Sequence, residues 1–118
     1  MFSLSSSQRY FLYTRVADMR KSFDGLSGLV RTYMKQDPLS GDVYIFVNRR
    51  RNQIRLLVWD RSGFAYYAKR LEKGAFELPV TREGVLSHAV RWEELVMMLE
   101  GVSLRSIRRR KRYSRTSS

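Results

Sequence analysis

The sequence predicts an α+β fold: an N-terminal strand and helix, an antiparallel β-meander of about four strands, a C-terminal helix and a disordered basic tail. Three observations carry this reading. Apolar residues Met19, Phe23, Leu26, Val30, Tyr33 and Met34 recur at spacings of three and four, the helical period. Between Val43 and Pro79, short β-branched and aromatic runs alternate with turn-forming residues. Beyond residue 104 the chain carries seven basic side chains and no acidic one. The order strand, helix, meander, helix implies helices packed on one face of the sheet.

Each element has its own signal. Arg9-Tyr10-Phe11-Leu12-Tyr13-Thr14 is short and aromatic, a first strand. The helix that follows is expected from about Phe23 to Lys35, and either Asp18 or Asp24 suits its cap. Gly25 and Gly28 cost about 1 kcal/mol each inside a helix relative to alanine, which points to a late start or to a face of close approach. Asp37-Pro38-Leu39-Ser40-Gly41-Asp42 is a turn. Val43 to Val47 is a continuous apolar strand, and Asn48 to Asn52 a basic hairpin loop. Strands then follow at Gln53–Trp59, Phe64–Leu71 and Ala75–Leu78, joined by turns at Asp60–Gly63 and Glu72–Gly74. Residues 80–90 show no clear period. Trp92, Leu95, Val96 and Leu99 share a helical face that Gly101 would stop.

A chain of 118 residues supports one core that buries roughly two-thirds of the unfolded surface. We therefore expect a single domain over residues 1–104 and a flexible basic arm over 105–118. The net charge is +12, of which the arm holds +7. Such asymmetry points to nucleic acid or an anionic membrane as partner. With no cysteine, disulfides, thiol catalysis and cysteine-ligated zinc are excluded, and the lone His88 makes no multi-histidine metal site. No apolar run approaches a membrane span, and Met1 to Ser7 does not read as a secretory signal. The expected location is the cytoplasm.

The cations are the candidate site. Arg49-Arg50-Arg51 at a hairpin tip suits bidentate phosphate contact; a solvated, edge-protecting tip is the alternative. Arg55, Lys69 and Arg70 lie on strands interleaved with aromatic residues, which would stack on unpaired bases or else form core. Arg108, Arg109, Arg110, Lys111 and Arg112 form a run suited to salt-sensitive, sequence-independent contacts. That run lacks the apolar face needed for lipid, so no membrane partner is expected. The carboxylates offer no centre: Asp18 and Asp24 are six apart and roughly opposed on a helix, and caps and turns explain Asp37 and Asp60. Neither catalytic nor metal-binding residues are expected.

The ordered motifs resemble one family. Asp18-Met19-Arg20-Lys21 with Phe23-Asp24-Gly25-Leu26 forms a first block, and Asp37-Pro38, Ser40-Gly41 and Asn48-Arg49-Arg50-Arg51-Asn52 a second. Trp59-Asp60, Gly63 and Ala68-Lys69-Arg70-Leu71-Glu72 with Gly74, Phe76 and Pro79 form a third, and Leu99-Glu100-Gly101-Val102 the close. Together they resemble the accessory protein of the insertion sequence sixty-six family, the TnpB-type product of the second open reading frame in those mobile elements. The likeness is collinear over about residues 9–104, and departs at Arg91-Trp92-Glu93 and in the arginine tail. It implies an auxiliary factor for DNA transposition, working beside a separate transposase and using no established cofactor. Arg20 and Lys21, within the first block, join the candidate phosphate contacts. The expected function is thus a non-catalytic, DNA-binding accessory protein, the alternative being an adaptor that assembles the transposase complex.

Overall fold

The computed structural model describes residues 4–100. Its elements are β1 (Tyr10–Tyr13), α1 (Phe23–Thr32), β2 (Val43–Val47), β3 (Gln53–Asp60), β4 (Gly63–Arg70), β5 (Ser87–Val90) and α2 (Trp92–Leu99). They build one five-stranded sheet in the order β4-β3-β2-β1-β5. The α+β class is as expected, but the sheet is mixed. β1 runs parallel to β2, with Tyr10 opposite Val43, because α1 carries the chain back to the same end. β2, β3 and β4 are antiparallel neighbours, and β5 returns antiparallel to β1 with Val90 opposite Tyr10.

Two corrections concern strands. The meander has three strands, not four: Ala75–Leu78 forms none. That segment lies against the α2 side of the sheet, where Phe76 is buried and its N–H donates to the Arg51 carbonyl at 2.6 Å. A chain laid over a sheet face has no ladder to join. The strand that periodicity missed is β5. Its four residues bury only Val90, so alternation is too short to register, and its position is fixed by β1 and by Thr14, whose hydroxyl donates to the Val85 carbonyl at 2.6 Å.

A third correction concerns layers. The helices cover opposite faces, not one. Tyr10, Leu12, Val43, Ile45, Val47, Ile54, Leu56 and Val58 face Leu95 and Met98 of α2. Tyr13, Tyr44, Phe46 and Leu57 face Leu26, Val30 and Met34 around α1. All five β2 residues are buried, as a strand covered on both faces requires.

The helices themselves start and stop for local reasons. Ser22 occupies the α1 N-cap position without a side-chain cap bond, and neither Asp18 nor Asp24 serves there; Asp24 lies in the first turn, where the helix dipole favours it. At Gly25 an added Cβ would come within 3.1 Å of the Lys21 side chain, so glycine permits the close approach of chain before the helix. Helix α1 ends at Thr32, short of the expected Lys35. Lys35 takes a left-handed conformation (φ 56°), and the Gln36 N–H reaches back to the Val30 carbonyl at 3.1 Å. At α2, the Glu94 carboxylate accepts the Arg91 N–H at 3.1 Å, tying down the first turn. Gly101 and the expected disordered tail lie outside the described residues.

Candidate nucleic-acid interface

Parallel strands β1 and β2 end side by side, so the loops that leave them meet. The Ala17 N–H donates to the Val47 carbonyl at 3.0 Å and holds the first loop beside the end of β2. Within it Asp18 accepts from the Arg20 backbone N–H at 2.9 Å, and its two oxygens accept from the Arg20 guanidinium at 3.0–3.3 Å. These hydrogen bonds and the adjacent positive charge hold the Asp18 carboxyl well below the usual carboxylate range, at about 2. The Arg20 charge is thereby largely offset in place.

The second loop carries the arginines and is clamped by its asparagines. Asn48 Oδ1 accepts from the backbone N–H groups of Asn52 and Gln53, both at 3.0 Å, while Asn48 Nδ2 donates to Asn52 Oδ1 at 2.7 Å. The Arg51 N–H closes onto the Asn48 carbonyl at 3.0 Å, and Arg51 itself is left-handed (φ 57°). Neighbouring chain fastens the loop from outside: Leu71 donates to the Asn52 carbonyl at 2.8 Å and Phe76 to that of Arg51. Asn-(Arg)3-Asn is thus a fixed turn rather than a loose tip.

Between the two loops lies a cleft of about 860 Å³, lined among others by Arg20, Arg49, Arg50 and Arg70 and by the carboxylates Asp18 and Glu72. Arg70 arrives through its pairing with Gln53 across β3 and β4. Among the described residues, ion pairs join Arg9 to Asp42, Arg20 to Asp18 and Arg91 to Glu94; none engages Arg49, Arg50, Arg51 or Arg70.

The remaining candidates divide by face. Arg55 lies on the α1 side with Gln53 and Arg70; its Nη1 donates to the Lys21 carbonyl at 3.1 Å and its guanidinium sits 5.3 Å from the Tyr66 ring centre. Lys21 is exposed and offers its backbone to Arg55. Lys69 is on the opposite face, with Nζ donating to the Leu99 carbonyl at the end of α2. Arg51 shares the clamped loop but not the cleft lining, and Arg108–Arg112 lie outside the described residues. Sequence reasoning passed over the clamp residues Asn48 and Asn52, although a paired Asn flanking a charge run was there to see. Phe23, counted in the helical period, is 38% exposed, and its ring stacks on Tyr66 at 3.9 Å. The carboxylates have local work: besides Asp18, Asp37 accepts from the Leu39 N–H at 2.9 Å to shape its turn.

The family described as IS66 Orf2 like protein matches residues 8–109. The chain belongs to that family. Relatives of this IS66 Orf2-like protein include the uncharacterized proteins y4jC and y4hO of Sinorhizobium fredii (strain NBRC 101917 / NGR234). The first is 30% identical over 93% of this chain and 92% of its own length, the second 28% over 89% and 90%. No solved structure matches. The IS66 Orf2-like family suggests an accessory protein of an insertion sequence rather than a known catalytic one. No helix among the described residues is long and apolar enough to cross a membrane.

Proposed function

We propose that this protein is a non-catalytic DNA-binding accessory factor for the transposition of an IS66-type element, acting beside that element's transposase. The observation that carries the proposal is the convergence of Arg49, Arg50 and Arg70 on one cleft with no carboxylate partner among the described residues. Three guanidinium groups held without an ion-pair partner repel one another, and a phosphate backbone relieves that repulsion while accepting their forked donors. The body over residues 1–104 supplies the contacts of the cleft, and the segment 105–118, with Arg108 to Arg112, adds positive charge for further phosphate contacts.

The test is DNA affinity of the full chain measured against salt, beside the variant Arg49→Ala/Arg50→Ala/Arg70→Ala. Each phosphate neutralised contributes about 0.9 to the slope of log K on log salt. The triple variant should therefore lose about 3 from the slope. An unchanged slope would remove the cleft from the interface and leave binding to the arm.

One observation favours an adaptor instead. Strand β4 is eight residues long, and among the described residues nothing pairs with its outer edge, the kind of edge a partner strand can extend. An adaptor would bind transposase through that edge and hold DNA weakly at all salt concentrations.

A further inference from the structure

The cations of the cleft continue into a row of aromatic rings on the same side of the sheet. On the α1 face, β4 presents Phe64, Tyr66, Ala68 and Arg70 in sequence, and β3 sets Arg55 and Gln53 beside the last two. Phe23, the first residue of α1, lies over this strip. Its ring is nearly parallel to Tyr66 (15°) and to Phe64 (11°), with centres 3.9 and 6.2 Å away. Arg55 closes the row over Tyr66, and its bond to the Lys21 carbonyl leaves most of its five N–H donors unspent. From Phe64 to Arg70 the strip is about 20 Å long at roughly 3.4 Å per residue.

We propose that this strip selects single-stranded nucleic acid: an unpaired base stacks on the outer face of Phe23 while the backbone follows Arg55 and Arg70 into the cleft. The inference rests on the cleft being a phosphate site. A scattered exposed phenylalanine is ordinary. Phe23 differs because one face is already held flat by Tyr66, so the ring is oriented before any ligand arrives, and because a line of cations begins at its side. Aromatic faces beside a positive groove are how sequence-tolerant single-strand binders work, since every base has a π-face and a duplex hides it. Exposed Ala68, between Tyr66 and Arg70, leaves the floor of the strip open.

The experiment compares the full chain with Phe23→Leu and Phe23→Trp, using a fluorescently labelled oligothymidylate, the matching oligouridylate and a duplex of equal length at one salt concentration. Leucine keeps apolar volume and helix propensity without a π-face, and a thermal melt confirms folding. Wild type should prefer single strands to duplex. Phe23→Leu should weaken single-strand binding on the order of tenfold while leaving the duplex unchanged, and Phe23→Trp should retain the preference. Comparing the two oligonucleotides shows whether the strand taken is DNA or RNA. A wild type without single-strand preference, or a Phe23→Leu variant that loses both ligands equally or neither, overturns the inference while the phosphate cleft stands. Loss of transposase capture on Phe23→Leu with nucleic-acid binding intact would overturn it in favour of a protein ligand. If no nucleic acid binds even in dilute buffer, it is the phosphate site itself that fails.

Discussion

Asn48 and Asn52 hold each other across the arginine loop, Nδ2 of the first donating to Oδ1 of the second at 2.7 Å while Asn48 Oδ1 takes two backbone N–H groups. Three hydrogen bonds from one side chain fix the backbone under Arg49 and Arg50. Asn48→Ala should cost about 1–3 kcal/mol in chemical denaturation, since two N–H groups lose their acceptor. Nucleic-acid affinity should fall too, although no cation has been removed. A variant that loses stability and keeps its affinity would show that the loop does not need to be held.

Arg51 separates stability from binding. Its left-handed backbone suits glycine better than arginine by roughly 1 kcal/mol, an advantage that glycine's freedom in the unfolded chain partly cancels. Arg51→Gly should leave the melting temperature unchanged or raise it slightly. The slope of log K on log salt should shrink by about 0.9 if Arg51 touches a phosphate. A lowered melting temperature would mean that the side chain supports the fold.

The Asp18–Arg20 pair sets a pH dependence. The folded Asp18 carboxyl titrates at about 2, below the ordinary 3.8, so it favours the folded state fully above pH 4 and loses that effect as pH falls through 2. An NMR titration should place the Asp18 carboxyl near 2, moving upward in Arg20→Ala. Asp18→Asn should release Arg20 to a ligand, raising nucleic-acid affinity and steepening the salt slope by up to about 1.

Lys69 Nζ donates to the Leu99 carbonyl, where a cation also meets the negative end of the α2 dipole, and this bond is expected to hold it to the helix. Lys69→Met should speed hydrogen exchange in α2 and cost about 0.3–1 kcal/mol, with the salt slope unchanged. A slope reduced as far as in Arg70→Ala would return Lys69 to the interface.

Tyr66 offers a test of packing alone. Its hydroxyl is buried without a well-formed hydrogen bond, and burial raises its pKa against the charge and weak hydrogen bonding of Arg55. Tyr66→Phe removes a poorly satisfied polar atom and keeps the ring under Phe23. Stability in a denaturant melt should stay level or rise by up to about 1 kcal/mol.

What could be seen in the chain and what could not divides on chain distance. The β2 run and the α1 period were plain because each is a local pattern of five to sixteen residues. The same β2 run, apolar at every position, implies cover on both faces, as the structure has it. Strand β5 was hidden because a four-residue edge segment with a single buried side chain carries no period. Ala75–Leu78 looked like a strand because propensity measures side-chain fit, not whether a neighbouring backbone is free to pair.

A strongly basic α+β protein of the IS66 Orf2-like family with an arginine hairpin can be read straight off the residues, since charge, period and ordered motifs are all written along the chain. Which cations lie side by side is settled by the way the chain is packed. Lys69 and Arg70 are adjacent residues, yet strand alternation sends one to the end of α2 and the other to the cleft. Arg20 and Arg50 are thirty residues apart and line the same cleft because β1 and β2 run parallel. Parallel pairing brings distant loops to one end of a sheet, and no local pattern in the residues announces it.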